Sequence, residues 1–411
     1  MARARRPDPA AGGGWAGRRF EVTVGPVAHG GHCVARHEGR VVFVRHTLPG
    51  ERVLVTLTDT SHDRFWRGDA TEVLAASPDR VPVRCPVAGP GLCGGCDFQH
   101  VDLAAQRRLK AAVVAEQLDR LAGIVWTGEV EALSAAERGT ADDGLGWRTR
   151  MRYAVDDAGR VALRRHRSSE LQPVPADGCP IAAPAVRVTG HSWPAGAELV
   201  AAASADGAVL LQDGRVERTS GEAAADGGLV ERVAGRGYAV AADGFWQVHP
   251  AAAQTLVATV LAGLEPRPGE GAFDLYCGVG LFAGALVDAG CRVWGLEASR
   301  LAIAAARQNL ADVGGRARFA ADRVERGLAK LPARTDLVVL DPPRSGAGRA
   351  VVAAVLQRQP RAVAYVACDP AALARDLATA TRLGYRVSNI RAFDLFPMTA
   401  HVECVALLHP A

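Results

Sequence analysis

Between residues 18 and 76 the chain alternates apolar and polar positions over five short stretches: RFEVTVG, GHCVARH, RVVFVRH, ERVLVTLTDT and RGDATEVLA. A two-residue period marks a strand with one buried face. Turn residues separate the stretches, among them Glu38-Gly39 and Pro49-Gly50. Five such strands in about 60 residues predict a small β-barrel of the kind that holds oligonucleotides.

The period then changes. LAAQRRLKAAVVAEQLDRLAG predicts an amphipathic helix. WRTRMRYAV, the turn DDAGR and VALRRHR predict a hairpin. Residues 131 to 145 read as a loop, and the Gly/Ala-rich stretch up to about 235 has little periodicity. From about 236, short apolar runs (GAFDLY, CRVWGLE, DLVVLD, RAVAYVA) alternate with helical ones (ALVDAG, LAIAAARQNL, AVVAAVLQRQ, AALARDLATATRLG). That alternation predicts a doubly wound, Rossmann-like α/β domain with a largely parallel sheet. The expected organisation is a disordered basic tail over 1–17, the barrel over 18–77, a central α+β domain over 78–235 and the α/β domain over 236–411.

At 411 residues the chain exceeds one ordinary core, in keeping with several domains. Nearly half the residues are apolar, yet no run reaches the ~18 residues of a membrane span. The start MARARRPDPAAGGGWAG is basic but lacks the apolar stretch of a signal peptide, so a soluble cytoplasmic protein is expected, with no membrane partner. The net charge of +4 says little by itself. Nearly all the basic residues are arginines, Lys110 and Lys330 being the lysines, so local arginine patterning must carry any nucleic-acid argument.

The loop FDLYCGVGLF puts Gly278 and Gly280 between a strand and a helix, where a backbone without β-carbons lets a ligand approach. Glu297 ends the next strand, placed to accept hydrogen bonds from ribose hydroxyls. GVGLFA also fits the dinucleotide G-x-G-x-x-A pattern, so the loop alone does not choose between a nicotinamide cofactor and S-adenosylmethionine. Asp341-Pro342-Pro343-Arg344 follows the strand DLVVL and so lies at the carboxyl edge of the sheet, an acid-Pro-Pro common in methyltransferases acting on bases.

Strand RAVAYVA runs into Cys368. Asp369 is a good helix N-cap and Pro370 a good first helical residue, which sets Cys368 beside a helix N-terminus that favours thiolate. A buried structural cysteine is the competing reading. In DLFPMTAHVECVALL, a turn leads into a strand whose alternation sends Glu403 and Cys404 to opposite faces. Cys404 is then core, and Glu403 is the acid in need of a purpose.

FDLYCGVGLF, LDPPRSG, CDPAALARDL and DLFPMTAHVE occur in the order seen in RNA 5-methyluridine (uracil-C5) methyltransferases, and FWQVHP resembles that family's F-x-Q-x-N/H-P element. VRHTLPGERVLV and ATEVLAASPDRVPVRCP resemble the TRAM domain, an RNA-binding barrel attached to several RNA-modifying enzymes. The resemblance covers most of the chain. It implies a class I methyltransferase fold, S-adenosylmethionine as methyl donor, and an RNA substrate, with ribosomal RNA favoured and transfer RNA the alternative. It implies Cys368 as nucleophile and Glu403 as base. Gln247, Tyr276, Leu281, Glu297, Asp322 and Asp341 fall at cofactor-binding positions, with Gly278 and Gly280 in the loop. Leu281 stands where some relatives have Asn, so its contact is through the backbone. Asp369 departs from an Asn found in many relatives, a conservative change at a cap. An N6-adenine methyltransferase would leave Cys368 and Glu403 without roles. A catalytically silent RNA-binding scaffold would not need both.

Nine cysteines in a chain that reads as intracellular argue against a disulfide framework. Cys85, Cys93 and Cys96 cluster as C-x7-C-G-G-C, and Cys179 follows beside Pro180. Three thiols plus a distant one suit an iron–sulfur cluster or zinc. Iron–sulfur members of the family carry C-x5-C-G-G-C and a later cysteine, so the resemblance implies a 4Fe-4S cluster in a loop lengthened by two residues. Arg148, Arg150 and Arg152 alternate along one strand, and Arg164, Arg165 and Arg167 return on the facing one. With Trp147 and Tyr153 they predict a basic, aromatic ribbon for RNA. Solvated surface arginines are the bland alternative.

Overall fold

The computed structural model describes residues 15–133, 143–190, 192–223 and 227–411. The tail expected over 1–17, up to residue 14, and the loop expected over 131–145, from 134 to 142, lie outside the described residues.

The first sheet holds Arg19–Thr23, Val27–Ala28, His32–His37, Arg40–Arg45, Arg52–Asp59 and Phe65–Ala75. Its inward positions, including Val22, Val42, Val44, Val53, Val55, Leu57 and Trp66, form one apolar cluster. The sheet curls: the Gly25 N–H reaches the Val34 carbonyl at 2.7 Å, and Phe65–Ala75 returns parallel to Arg40–Arg45. The alternation read from the sequence is thus the inside–outside alternation of a small curled sheet.

A second sheet of six strands runs in the order Leu171–Pro173, Val161–Arg164, Arg150–Val155, Glu198–Ala203, Gly207–Gln212, Arg215–Gly221, with every neighbour antiparallel. Four of its six strands come from the stretch with little periodicity. ELVAAA is buried at nearly every position, and a strand covered on both faces shows no alternation.

The third sheet has eight strands in the order Ala317–Ala321, Arg292–Glu297, Gly271–Leu275, Leu337–Leu340, Ala362–Ala367, Glu403–Pro410, Tyr385–Phe393, Val130–Glu131. All run parallel except Glu403–Pro410, which is antiparallel to both neighbours. An antiparallel strand inserted there departs from the 3-2-1-4-5-6 order of dinucleotide-binding domains. Helices including Leu281–Asp288, Gly348–Leu356 and Pro370–Arg382 connect the strands and pack on both faces. The helix Leu103–Ala122 and the strand Val130–Glu131 precede residue 236 in sequence but join this layer: Val114, Leu118 and Val130 share a core with Leu373 and Leu377.

Candidate active site

Tyr276, Glu297, Asp322, Asp341 and Cys368 directly follow or end five parallel strands, so all five lie along the carboxyl edge of the sheet. The antiparallel strand explains how Glu403 joins them. Its first residue lies at the same edge at which its parallel neighbours finish. Ala367 pairs with Cys404, so one step further along the ladder sets Cys368 opposite Glu403. Residues paired across a ladder present side chains to the same face, and the alternation sends Cys404 into the core on the other one.

Cys368 is half-buried, and Glu403 is only 4% exposed. Burial pushes the Cys368 thiol up to about 11; the Glu403 carboxylate adds to this and Arg344 opposes it. Burial also pushes Glu403 well above the usual carboxylate range, helped by Asp341 and opposed by Arg344. Asp341 itself is pushed up to about 7 by burial. The helix Pro370–Arg382 does begin beside Cys368, with Asp369 accepting the Ala372 N–H at 2.7 Å. Burial and the neighbouring acid act against the thiolate expected from that helix end. The Asp369 carboxylate also meets His29 Nε2 of the curled sheet at 2.9 Å, a contact with no local signal in the sequence. Arg344 lies 3.2 Å from His401 Nε2.

The glycine loop is built as a cradle. Tyr276, Gly278 and Gly280 all have positive φ, at 66°, 53° and 93°. A side-chain-bearing residue in that region is rare, and such strain concentrates at ligand sites. A β-carbon on Gly278 would meet nothing within 4 Å, so the space above the loop is open. Glu297 accepts the Ser299 N–H at 2.8 Å and the Gly278 N–H at 3.4 Å. Asp322 is held ionised by Lys330 at 2.7 Å. Leu281 is the buried first residue of its helix, and its carbonyl accepts the Tyr238 hydroxyl at 3.1 Å. Gln247 is buried in the segment after Arg236–Ala241. Asp274 was not singled out in the sequence. It is fully buried under the loop, accepts the Ala283 N–H at 2.8 Å and is pushed up to about 7 by burial. An acid inside the apolar strand GAFDL was the available signal.

Cys85, Cys93, Cys96 and Cys179 line one cavity of about 350 Å³. Gly94 is required there, since its β-carbon would lie 2.8 Å from the His166 backbone. Among the described residues, no three His, Cys, Asp or Glu side chains are gathered so as to hold one metal ion. Arg148, Arg152, Arg164 and Arg165 line the same cavity.

The expected basic ribbon needs correction at three residues. Arg150 is 8% exposed, paired with Glu231 at 3.2 Å and donating to the carbonyls of Ala241, Ala242 and Gly244. A buried guanidinium must be satisfied in this way, and here it supports the segment leading to Gln247. Trp147 and Tyr153 are buried in the core of the second sheet, so neither offers a face for a base.

An α/β sheet with one inserted antiparallel strand, a glycine cradle and a cysteine facing an acid at its carboxyl edge defines an enzyme of the methyltransferase fold. The family described as tRNA (Uracil-5-)-methyltransferase matches residues 322–410, and the TRAM domain matches residues 16–71. A relative from Streptomyces avermitilis, described as an uncharacterized RNA methyltransferase, is 48% identical over 96% of this chain and 99% of its own length. The 23S rRNA (uracil(1939)-C(5))-methyltransferase RlmD of Edwardsiella ictaluri is 30% identical over 93% of both chains. The crystal structure of Pyrococcus abyssi tRNA (uracil-54, C5)-methyltransferase with S-adenosyl-L-homocysteine superposes with a TM-score of 0.68 at 22% identity, covering 95% of this chain and 100% of that one, which establishes likeness of fold. The chain belongs to the RNA uracil-5-methyltransferase family.

Proposed function

We propose that this protein methylates C5 of a uridine in RNA through a covalent adduct between Cys368 and C6, with S-adenosylmethionine as donor. The observation that carries the reading is the ladder register that sets Cys368 opposite Glu403 at the carboxyl edge. Uracil C5 is too electron-poor to take a methyl group unaided. The Cys368 thiol loses its proton to solvent, the thiolate bonds to C6, and the C5–C6 π electrons move toward C5 and O4 as an enolate. S-adenosylmethionine, when bound, would supply the methyl group to C5 and be left as the neutral thioether S-adenosylhomocysteine, and its sulfonium charge would lower the pKa of nearby acids. Glu403 then takes the C5 proton, the C5–C6 double bond reforms, and Cys368 leaves as thiolate. Tyr276, Glu297, Asp322 and Asp341 along the carboxyl edge, with Gly278, Gly280, Leu281 and Gln247, are the residues this reading assigns to the donor. An N6-adenine methyltransferase would have no use for the facing cysteine and acid.

Ribosomal RNA is the favoured substrate, because the relative named for 23S rRNA is 30% identical along nearly its whole length. Mass-spectrometric mapping of 5-methyluridine in ribosomal and transfer RNA, from cells with and without the gene, tests this. A missing methyl group in transfer RNA alone would redirect the assignment. Loss in neither would defeat the function.

The four cysteines, which line one cavity of about 350 Å³, are assigned as ligands of a 4Fe-4S cluster, with zinc as the alternative. Protein purified without oxygen should be brown and hold about four irons per chain. Cys93→Ser or Cys96→Ser should bleach it. Colourless protein with stoichiometric zinc would overturn the cluster.

Arg148, Arg152, Arg164 and Arg165 remain the RNA-binding arginines of the reading, all of them lining that cavity. Replacing all four with Ala should weaken RNA binding and flatten its salt dependence by up to about 0.7 log units per lost phosphate contact. S-adenosylmethionine binding should not change. An unaltered salt slope would make these arginines solvated surface.

A further inference from the structure

The proposed chemistry has no redox step, so the cysteine segment needs another job. Directly after Cys96, the N–H groups of Asp97 and Phe98 both donate to the Met398 carbonyl at 2.9 Å. Asp97 Oδ2 accepts the Ala400 N–H at 3.0 Å. Gln106, fully buried on the helix Leu103–Ala122, accepts the Met398 N–H at 2.8 Å. Its amide donates to the carbonyls of Phe98 and Val101 at 3.1 and 2.9 Å, joining the two gripping segments. One turn on, Lys110 reaches Asp394 at 2.5 Å and the Phe396 carbonyl at 3.0 Å.

The gripped loop connects Tyr385–Phe393 to Glu403–Pro410 and delivers Glu403 to the edge of the sheet. Met398 within it has φ 66°, a conformation that persists in a side-chain-bearing residue only when its surroundings over-determine it. The surroundings are the Gln106 acceptor and the Asp97 and Phe98 donors. Gly31, in the turn before His32–His37 of the curled sheet, packs against Ala400 and Phe98 with no room for a β-carbon.

We infer that Asp97 and Gln106 are positioning residues for Glu403, and that the cysteine segment serves the reaction by fixing the loop that carries this acid. The inference rests on the role of Glu403 proposed above. It places the cost of a loosened segment in one step. Proton removal from C5 needs Glu403 in register with the adduct, whereas attack by Cys368 depends on a different strand and helix. A small displacement of a catalytic group is enough to slow its own step strongly.

The test uses the full chain with Asp97→Ala, Asp97→Asn and Gln106→Met. Adduct formation and RNA release are timed separately, and amide exchange over residues 397–403 is followed by mass spectrometry. Asp97→Ala and Gln106→Met should speed exchange over 397–403 and slow release about tenfold. Adduct formation and the apparent KM for RNA should move less than about twofold. Asp97→Asn keeps an oxygen for the Ala400 N–H while losing the charge that faces Arg45 at 3.4 Å, and it should restore release. Iron content and S-adenosylmethionine binding should stay at the parent level. If Asp97→Ala does not fold, Gln106→Met decides by the same readouts. Wild-type release in the variants, while Glu403→Gln still traps the adduct, overturns the positioning role alone. Normal release by Glu403→Gln overturns the role of Glu403 and this inference with it.

Discussion

Cys368→Ala is expected to abolish both 5-methyluridine formation and any covalent protein–RNA species. Without the sulfur nothing adds to C6, C5 gains no electron density, and the methyl group has no acceptor. Removing a covalent nucleophile costs roughly 10⁴-fold or more in turnover, so activity should fall to background. Folding should survive, because Cys368 is half-buried and its loss removes one atom. Cys404→Ala is the matching control. That residue lies in the core on the opposite face, so the variant should still form the adduct. The thiol of Cys368 is pushed up to about 11, so below that value its thiolate fraction grows with pH. Adduct formation measured by rapid quench should therefore rise through the neutral range, by up to about tenfold per unit. Retention of the adduct in Cys368→Ala would move the nucleophile elsewhere. Loss of the adduct in Cys404→Ala, with fold intact, would do the same.

The α/β layer was legible because its strands and helices are short, periodic and punctuated by glycine. The strands GAFDL, RVWGLE, LVVL and AVAYVA lie where the pattern set them, and Asp369 caps its helix as its type predicts. The purpose of Glu403 became legible only through register, since the pairing of Ala367 with Cys404 is what brings the acid to Cys368. Three things were hidden for physical reasons. Strands buried on both faces, such as ELVAAA, carry no alternation. The arginines of Arg150–Val155 share a strand face, but one end of that face is covered, so Arg150 became a buried anchor while Arg152 stayed exposed. The ties from Asp97, Gln106 and Lys110 to residues 394–400 join positions far apart in the chain, which no local window can see.

Glu403→Gln should separate the two halves of the reaction. Gln has nearly the same shape and no charge, and Glu403 is buried with its carboxyl pushed well above the usual range. Gln therefore matches the neutral carboxyl that burial favours and should leave folding intact. It also removes one of the influences that raise the Cys368 pKa, so attack on C6 should be no slower. Methyl transfer to C5 needs no base. The next step does, because the C5 proton must leave before the C5–C6 bond can reform and expel the thiolate. An amide cannot accept that proton, and loss of a general base costs about 10²- to 10⁴-fold. A methylated RNA–protein adduct should accumulate as a slow band on a denaturing gel and disappear on nuclease treatment. Its nucleotide, released by digestion and weighed, should carry the added methyl group and the Cys368 peptide together. An unmethylated adduct would shift Glu403 to an earlier step. Turnover at the parent rate would mean that another group, with Asp341 the nearest candidate by its own raised pKa, takes the proton.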